Sequence, residues 1–195
     1  MYAASADPWD LATRWYEERK YAITLAMLPR QHYHHAFEPG CSIGTLTERL
    51  TDRCDRVTAT DVASAALDGA DRLLREAGRR EQVTLLQRSI DQPWPPGNFD
   101  LVVLSEVGYY VRADTLREVL DRECRRLANG ATVVAAHWRH PVDGYPISGD
   151  RANEVIAAIP GLHLIGSYRD ADVAIDVFDT ANPASVAARN GVPGA

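Results

Sequence analysis

The chain has 195 residues, of which 46% are hydrophobic and 25% are charged, which suits one compact α/β domain with a sizeable core. A net charge of −6 disfavours a nucleic-acid partner, because affinity for phosphates comes mostly from Lys and Arg. The three cysteines form no CxxC pair and leave one unpaired, which indicates a reducing, cytoplasmic location. No long apolar run is present, and residues 7–10 are not typical of a signal peptide, so we expect no membrane partner.

Helical and strand patterns alternate along the first two thirds of the chain. A helical pattern covers residues 11–28 and ends at Pro29. Strands are predicted near residues 35–38, 56–60, 83–88, 99–105 and 132–137, with helices near residues 44–51, 64–78 and 114–127. The uninterrupted apolar runs at residues 101–104 and 133–136 are typical of parallel strands that are covered on both faces.

The last third of the chain predicts a helix near residues 149–159 and two further strands, near residues 163–169 and 172–179. The polar residues 169–172 between these strands predict a hairpin turn. We therefore expect a doubly wound, mostly parallel seven-stranded α/β sheet with an antiparallel C-terminal hairpin. This single domain spans residues 1–180, with an N-terminal helical lid at about residues 7–28 and a flexible tail at residues 181–195.

A glycine-containing turn after the first strand is the strongest functional signal. Gly40 and Gly44 lack a Cβ atom, so their backbone can adopt positive φ and approach a ligand closely. The helix that follows directs free N–H groups at such a ligand. Asp61 ends the next strand, where a carboxylate can accept both hydroxyls of a ribose. The pattern predicts a nucleotide site.

The spacing of small residues in this turn distinguishes between nucleotides. A dinucleotide fingerprint has glycines at relative positions one, three and six, which here hold Gly40, Ser42 and Thr45. The missing third glycine disfavours a nicotinamide-dependent oxidoreductase, which stays an alternative. The string from Glu38 to Gly44 resembles the first motif of the class I S-adenosylmethionine-dependent methyltransferases, with Ser42 in place of the middle glycine. The resemblance implies S-adenosyl-L-methionine as cofactor.

The ends of the third and fourth strands supply further candidates. The resemblance implies an acidic partner for the adenine amino group at the position of Ser89, and whether Asp91 substitutes for it stays open. It also implies that the Ile90 backbone bonds the adenine ring. After the fourth strand, Glu106 can hold a cationic sulfonium or deprotonate an amine, while Tyr109 either faces the acceptor or packs under a helix.

Two histidines follow the fifth strand. His137 and His140 are candidates for a general base or a hydrogen-bond partner, because the ordinary histidine pKa lies near neutrality. A structural role in the loop is the alternative. No third ligand of fitting spacing accompanies them, so we predict no metal site.

The predicted sites combine these strand ends with the aromatic N-terminal helix, where Arg19 or Lys20 is placed to meet the carboxylate of the donor. The predicted catalytic set is Glu106, His137, His140 and Tyr109. The predicted cofactor-binding set is Trp15, Arg19, Glu38, Gly40, Cys41, Ser42, Gly44, Asp61, Val62, Ser89, Ile90, Ser105 and Glu106.

Five segments together resemble the nodulation-factor N-methyltransferase (NodS) family over roughly residues 7–179. They are Asp7-Pro8-Trp9, WYEERK at residues 15–20, EPGCSIGTLT at residues 38–47, FDLVV at residues 99–103 and SEVGYY at residues 105–110. Members of that family are small single-domain enzymes that methylate the free amine of a deacetylated chitin oligosaccharide. The resemblance implies N-methylation of an amino sugar or a chitooligosaccharide-like amine.

Two alternatives stay open beside this reading: an O-methyltransferase of a small metabolite, and a non-catalytic S-adenosylmethionine-binding domain. In either methyltransferase case the expected partner is a small-molecule amine or hydroxyl acceptor, and we expect a monomer or a weak homodimer.

Overall fold

The computed structural model describes residues 7, 10, 11, 13–181 and 183–195. Pro8 and Trp9, which belong to the predicted lid and to the family resemblance, lie outside the described residues. The strands are β1 (Tyr33–Pro39), β2 (Cys54–Asp61), β3 (Val83–Gln87), β4 (Leu101–Ser105), β5 (Thr132–Trp138), β6 (His163–Arg169) and β7 (Val173–Asp179). The helices are α1 (Trp15–Ala26), α2 (Thr45–Leu50), α3 (Ser64–Glu76), α4 (Ala113–Cys124), α5 (Gly149–Ala157) and α6 (Val186–Arg189).

All seven strands join one sheet in the order β3-β2-β1-β4-β5-β7-β6. The first five run parallel, whereas β7 is antiparallel to both β5 and β6. The predicted doubly wound sheet with an antiparallel C-terminal hairpin is therefore confirmed. The order reverses between β1 and β4, which is where ligands bind in open α/β sheets.

The sheet is covered on both sides, as the apolar runs of its central strands predict. All five residues of β4 are buried, and six of the seven residues of β5 are. One core cluster centres on Leu50, Leu101 and Val134, and the other on Phe37, Leu104 and Leu116. Alternate side chains of the same strands thus feed two separate cores.

The N-terminal helix differs from an ordinary surface helix. It begins at Trp15 rather than at residue 11, because Asp10 has a positive φ of 54° and Arg14 is extended. The buried positions of α1 are Glu17, Lys20, Tyr21 and Thr24, and three of these four are polar. A buried polar face needs polar partners, and Lys20 has one in Glu106, which lies in the functional site.

The C-terminal segment carries one helical turn. Ser185 caps α6 by accepting a hydrogen bond from the N–H of Ala188. The flexibility of residues 181–195 stays a prediction.

Three further features of the structure concern cysteines, membrane-spanning helices and metal-ligating side chains. Cys41, Cys54 and Cys124 are buried free thiols. In the part of the chain that the structure describes, no helix is long and apolar enough to cross a membrane. The same residues contain no group of three or more His, Cys, Asp or Glu side chains that suits a metal ion.

Candidate functional site

A cavity of about 970 Å³ opens at the carboxyl ends of the parallel strands and is covered on one side by α1. The turn after β1, the end of β2 and the segments after β3, β4 and β5 all contribute to its wall. The cavity therefore lies at the reversal of strand order between β1 and β4, where parallel-sheet proteins bind their ligands.

The turn after β1 is built from three residues with left-handed backbone conformation. Gly40, Ser42 and Gly44 have φ values of 76°, 51° and 82°. A Cβ atom at Gly40 would lie 2.6 Å from the side chain of Val107, so only glycine fits there. Ser42 adopts an angle that L-residues disfavour, so a glycine would be less strained at this position.

Asp61 is fixed in the cavity wall by two backbone donors. The N–H of Ser42 donates to Oδ2 at 3.0 Å, and the N–H of Ala63 donates to Oδ1 at 2.9 Å. A carboxylate has about four acceptor positions, so each oxygen keeps capacity for one further donor. The arrangement orients Asp61 for two adjacent hydroxyl groups, such as those of a ribose.

Glu38 lies at the end of β1, fully buried and in the cavity wall. Burial raises the pKa of Glu38 to about 8, although a 2.5 Å hydrogen bond from Thr47 Oγ1 opposes the change. The nearby Asp61 carboxylate adds to the increase. A cationic ligand group beside Glu38 would relieve this penalty, because an opposite charge favours the ionised form.

Glu106, directly after β4, accepts hydrogen bonds on both carboxylate oxygens. Lys20 Nζ donates to Oε1 at 2.9 Å, while Tyr109 Oη and the Trp138 N–H donate to Oε2 at 2.6 and 2.9 Å. Burial alone would raise the pKa of Glu106, but Lys20 outweighs it with help from the Tyr109 hydrogen bond, and the pKa is lowered. The residue also has a positive φ of 54°, a strained backbone that is typical of functional positions. Glu106 is thus a fixed anion.

Lys20 is the single lysine of the sequence, beside twenty arginines, and its side chain is only 1% exposed. Its ammonium lies 2.8 Å from Glu17 Oε2 and 5.3 Å from the ring centres of both Tyr16 and Tyr21. Burial lowers the pKa of Lys20, but Glu106 and Glu17 outweigh this and raise it overall. Two formal carboxylate charges therefore face one ammonium, which leaves one excess negative charge in the cluster of Glu17, Lys20 and Glu106.

Several predicted residues lie together in the cavity wall. From the predicted cofactor set, the wall contains Glu38, Gly40, Cys41, Ser42, Asp61, Val62, Ser89, Ile90, Ser105 and Glu106, and from the catalytic set it contains Glu106 and Tyr109. Asp91, the possible substitute for an adenine partner, is exposed and outside this wall.

Two other predicted residues on α1 and one in the glycine turn lie outside the wall. Trp15 is 70% exposed, and Arg19 points to the β6–β7 hairpin, where it pairs with Asp170 at 2.8 Å. A helix turns about 100° per residue, so Trp15 and Arg19, which are four residues apart, share a face of α1 that is turned away from the cavity. Gly44 packs against α3 instead, where an added Cβ would lie 2.9 Å from Ala70.

The structure does not bring the two predicted histidines into the wall. His137 is completely buried behind it, with its Nε2 3.0 Å from the N–H of Gly108 and its Nδ1 2.6 Å from Asn153 Oδ1. His140 is exposed on the loop after β5 and lies 2.7 Å from Asp172 Oδ1. Because the Gly108 N–H occupies the Nε2 lone pair of His137, that nitrogen has no free lone pair for a proton.

Sequence reasoning missed part of the wall. The residues it omitted include Tyr16, Glu17, Tyr21, Trp138 and Tyr145. The available signal was the polar inward face of α1, where Glu17, Lys20, Tyr21 and Thr24 recur at helical spacing. Tyr145 comes from a loop without secondary structure, and only the fold places its ring 4.8 Å from that of Tyr109 in a stacked orientation.

Known proteins share both the sequence pattern and the fold. The chain is 35% identical over 107 residues to Nodulation protein S of Bradyrhizobium diazoefficiens, covering 54% of this chain and 50% of that protein. It is 31% identical over 133 residues to Nodulation protein S of Rhizobium tropici, covering 67% of this chain and 55% of that one. The alignments thus span about half the length of these relatives.

Among solved structures, a putative methyltransferase from Pseudomonas syringae is 33% identical, with a TM-score of 0.71 and coverage of 85% of this chain and 99% of the other. The N-methyltransferase NodS from Bradyrhizobium japonicum, in complex with S-adenosyl-L-homocysteine, shares the fold at 24% identity with a TM-score of 0.77, covering 90% of this chain and 93% of that one.

The model of the NodS family, described as Nodulation protein S, matches residues 2–142, which include β1 to β5, the glycine turn and Glu106. This is more than half of the chain. The chain therefore belongs to the Nodulation protein S (NodS) family.

Proposed function

We propose that the chain is an S-adenosylmethionine-dependent methyltransferase that acts on a small primary amine. The observation that carries the proposal is that one cavity contains both the glycine turn with Asp61 and the cluster of Glu17, Lys20 and Glu106, which has one excess negative charge. A cationic donor suits such a wall, and so does the positive charge that develops on a neutral amine as it takes up the methyl group, because buried charges need partners.

On the donor side, the Gly40–Gly44 backbone and Asp61 fit an adenosine group. The positive φ angles let the chain approach the ligand closely, and Asp61 keeps acceptor capacity for two hydroxyls. Ile90 lies in the same wall and frames the base. When bound, S-adenosylmethionine supplies a methyl group activated by a sulfonium charge.

On the acceptor side, the protein provides charge and orientation. Glu106 is held by Lys20, Tyr109 and Trp138, so we assign it to stabilising positive charge on the acceptor nitrogen and not to removing a proton. Holding the nitrogen in line with the donor is worth roughly 7–11 kcal/mol in favourable systems. We also infer that residues 7–28 act as a lid, since α1 supplies Lys20 to this network.

The aromatic part of the cavity wall, which contains Tyr109, Trp138 and Tyr145 and is called the acceptor wall below, supports a ring-shaped amine. Tyr109 and Tyr145 are stacked with ring centres 4.8 Å apart, and Trp138 adds a further aromatic side chain. Flat aromatic surfaces of this kind pack against the apolar faces of sugars and other rings. Together with family membership, this supports an amino sugar or chitooligosaccharide-like amine as the acceptor. We further propose a cytoplasmic monomer or weak homodimer, since three buried free cysteines suit a reducing compartment.

The proposal is tested by supplying S-adenosylmethionine with an isotope-labelled methyl group to a panel of acceptors. The panel pairs a glucosamine tetrasaccharide with its fully N-acetylated counterpart and adds small alcohols and phenols. We expect label on the free amine and none on the acetylated sugar. Label on oxygen would contradict the amine assignment, and no label on any acceptor would leave a donor-binding domain as the better description.

Glu106→Gln provides the matched test of the charge. Its control is Glu118→Gln, which removes one exposed carboxylate from α4. We expect the first variant to lose at least about tenfold in turnover, because a charged hydrogen-bond partner contributes about 1.5–3 kcal/mol. The control is expected to match the unmodified protein, and equal activity of both variants would contradict the role of Glu106.

A further inference from the structure

Behind the wall of the cavity, three buried polar side chains form a chain of hydrogen bonds. They are His137 on β5, Asn153 on α5 and Asp176 on β7, with exposures of 0%, 1% and 5%. His137 Nδ1 lies 2.6 Å from Asn153 Oδ1, and Asn153 Nδ2 lies 2.6 Å from Asp176 Oδ2. None of these three side chains lines the cavity, so they can affect a ligand there only through residues of the cavity wall.

The direction of every bond in the chain is fixed by one backbone donor. The N–H of Gly108 lies 3.0 Å from His137 Nε2, and a backbone N–H can only donate. Nε2 must therefore be unprotonated, so the neutral ring carries its hydrogen on Nδ1 and donates it to Asn153 Oδ1. Asn153 then donates from Nδ2 to Asp176. Each of the three side chains is thereby held in one orientation.

These hydrogen bonds hold the turn Gly108–Tyr110, which contributes Tyr109 to the acceptor wall. Tyr109 in this turn donates to Glu106 at 2.6 Å and stacks on Tyr145. A Cβ atom at Gly108 would lie 2.8 Å from His137 Nε2, so the glycine is what lets the ring approach the backbone. The imidazole and the turn are thus packed as one unit.

We propose that His137 is a positioning residue that fixes the Gly108–Tyr110 turn, and with it Tyr109 and the acceptor wall, and that it takes no part in proton transfer. The kinetic consequences rest on the proposed methyltransferase function, whereas the state of the ring does not. The charged groups that face the imidazole are Glu106 after β4, Lys20 on α1 and Asp176 on β7. Burial is the largest influence and lowers the pKa of His137, which agrees with a neutral ring.

Two neutral substitutions separate this role from that of a base. In His137→Gln, the amide extends toward the former Nε2 position and can accept the Gly108 N–H. In His137→Asn, the shorter amide replaces Nδ1 toward Asn153 but leaves the Gly108 N–H without a partner. Neither side chain can serve as a general base. His34→Gln is the control, because that side chain is 86% exposed near the start of β1, whereas the cavity lies at the carboxyl ends of the strands.

The variants are compared in kcat and KM for a glucosamine tetrasaccharide and in affinity for S-adenosylhomocysteine. We expect His137→Gln to stay within about threefold of the unmodified protein in kcat/KM, and His137→Asn to lose at least about tenfold, mainly through KM, because an unpaired buried N–H is costly. The affinity for S-adenosylhomocysteine should be unchanged in both variants. Equal loss of kcat in the two variants would identify a base and overturn the proposal, as would full activity of His137→Asn.

A ligand-free measurement keeps this test separate from the proposed function. In ¹⁵N-labelled protein, we expect His137 to stay neutral, with its hydrogen on Nδ1, as the pH falls from 8 through the ordinary histidine pKa of about 6.5. The spectrum of His137→Gln identifies its signals among those of the six histidines. A hydrogen on Nε2, or ordinary titration, would overturn the inference. If the protein bound no donor, the proposed function would fail, while the ring state would still decide the role of His137.

Discussion

Replacing Lys20 by methionine is expected to destabilise the protein strongly, because it leaves the buried Glu17 and the partly buried Glu106, whose side chain is 22% exposed, without their common counter-ion. Lys20 Nζ lies 2.8 Å from Glu17 Oε2 and 2.9 Å from Glu106 Oε1, and its side chain is 1% exposed. At an effective dielectric constant of about 20, each such pair attracts by about 6 kcal/mol before the cost of desolvation is subtracted. Measured losses on breaking a buried pair are about 3–5 kcal/mol, which is our expected decrease in the free energy of unfolding.

The destabilisation should depend on pH in a defined direction. With Lys20 present, the folded-state pKa of Glu106 is lowered, so its stabilisation is present above the unfolded pKa and is lost as pH falls through the folded value. Without Lys20, burial raises the folded pKa of Glu106, so the variant is stabilised by protonation and weakens as pH rises. The difference between the two proteins should therefore be larger at pH 8 than at pH 5.

Urea unfolding at both pH values measures this difference. The matched control is Arg151→Met, which removes an exposed cation paired with Glu154 on α5, where exposed pairs contribute about 0–1 kcal/mol. Lys20→Arg should only partly restore stability, since a planar guanidinium does not replace a compact ammonium between two carboxylates. A loss below about 1 kcal/mol for Lys20→Met, or one that does not change with pH, would refute the account of this network.

Further predictions concern the donor side of the cavity. Glu38 has a folded pKa of about 8, above its unfolded value, so stability should fall as pH rises from the unfolded value toward 8. Glu38→Gln should abolish this fall in the free energy of unfolding, which amounts to several kcal/mol because one pKa unit is worth about 1.4 kcal/mol. Urea unfolding at pH 5 and pH 9 measures the difference. Ser42→Gly should raise the unfolding free energy by up to about 1 kcal/mol, because it relieves a positive φ of 51° while keeping the N–H that binds Asp61. Gly44→Ala should lower it by about 1–2 kcal/mol from the φ of 82° alone, and further through the contact with Ala70, as thermal unfolding would show.

The middle of the sheet was predictable because β4 and β5 contain uninterrupted apolar runs. Residues 101–104 and 133–136 have no polar side chain, as is typical of parallel strands that are covered on both faces. The glycine turn was also predictable, since Gly40 follows β1 and Asp61 ends the neighbouring strand β2 at the same edge of the sheet. The start of α1 was not, because the turn at residues 10–14 breaks a helical pattern without a proline or a glycine.

The acceptor side was less predictable, because it depends on which way side chains face. His137 and Trp138 are neighbours on β5, yet only Trp138 reaches the cavity, since successive strand residues point to opposite faces. The sequence gives no indication that the Gly108 backbone would meet the imidazole, as these residues are distant along the chain. The assignment of individual donor-binding residues stays a prediction.

Calorimetric titration with S-adenosylhomocysteine, comparing the unmodified protein with Asp61→Asn, tests the central claim most directly. Asp68→Asn is the control, because it removes an exposed carboxylate from the neighbouring helix α3. The account predicts saturable binding that Asp61→Asn weakens at least about tenfold, as loss of charged hydrogen bonds to two hydroxyls requires, and that Asp68→Asn leaves unchanged. Absence of binding to the unmodified protein, or equal affinity in Asp61→Asn, would contradict it.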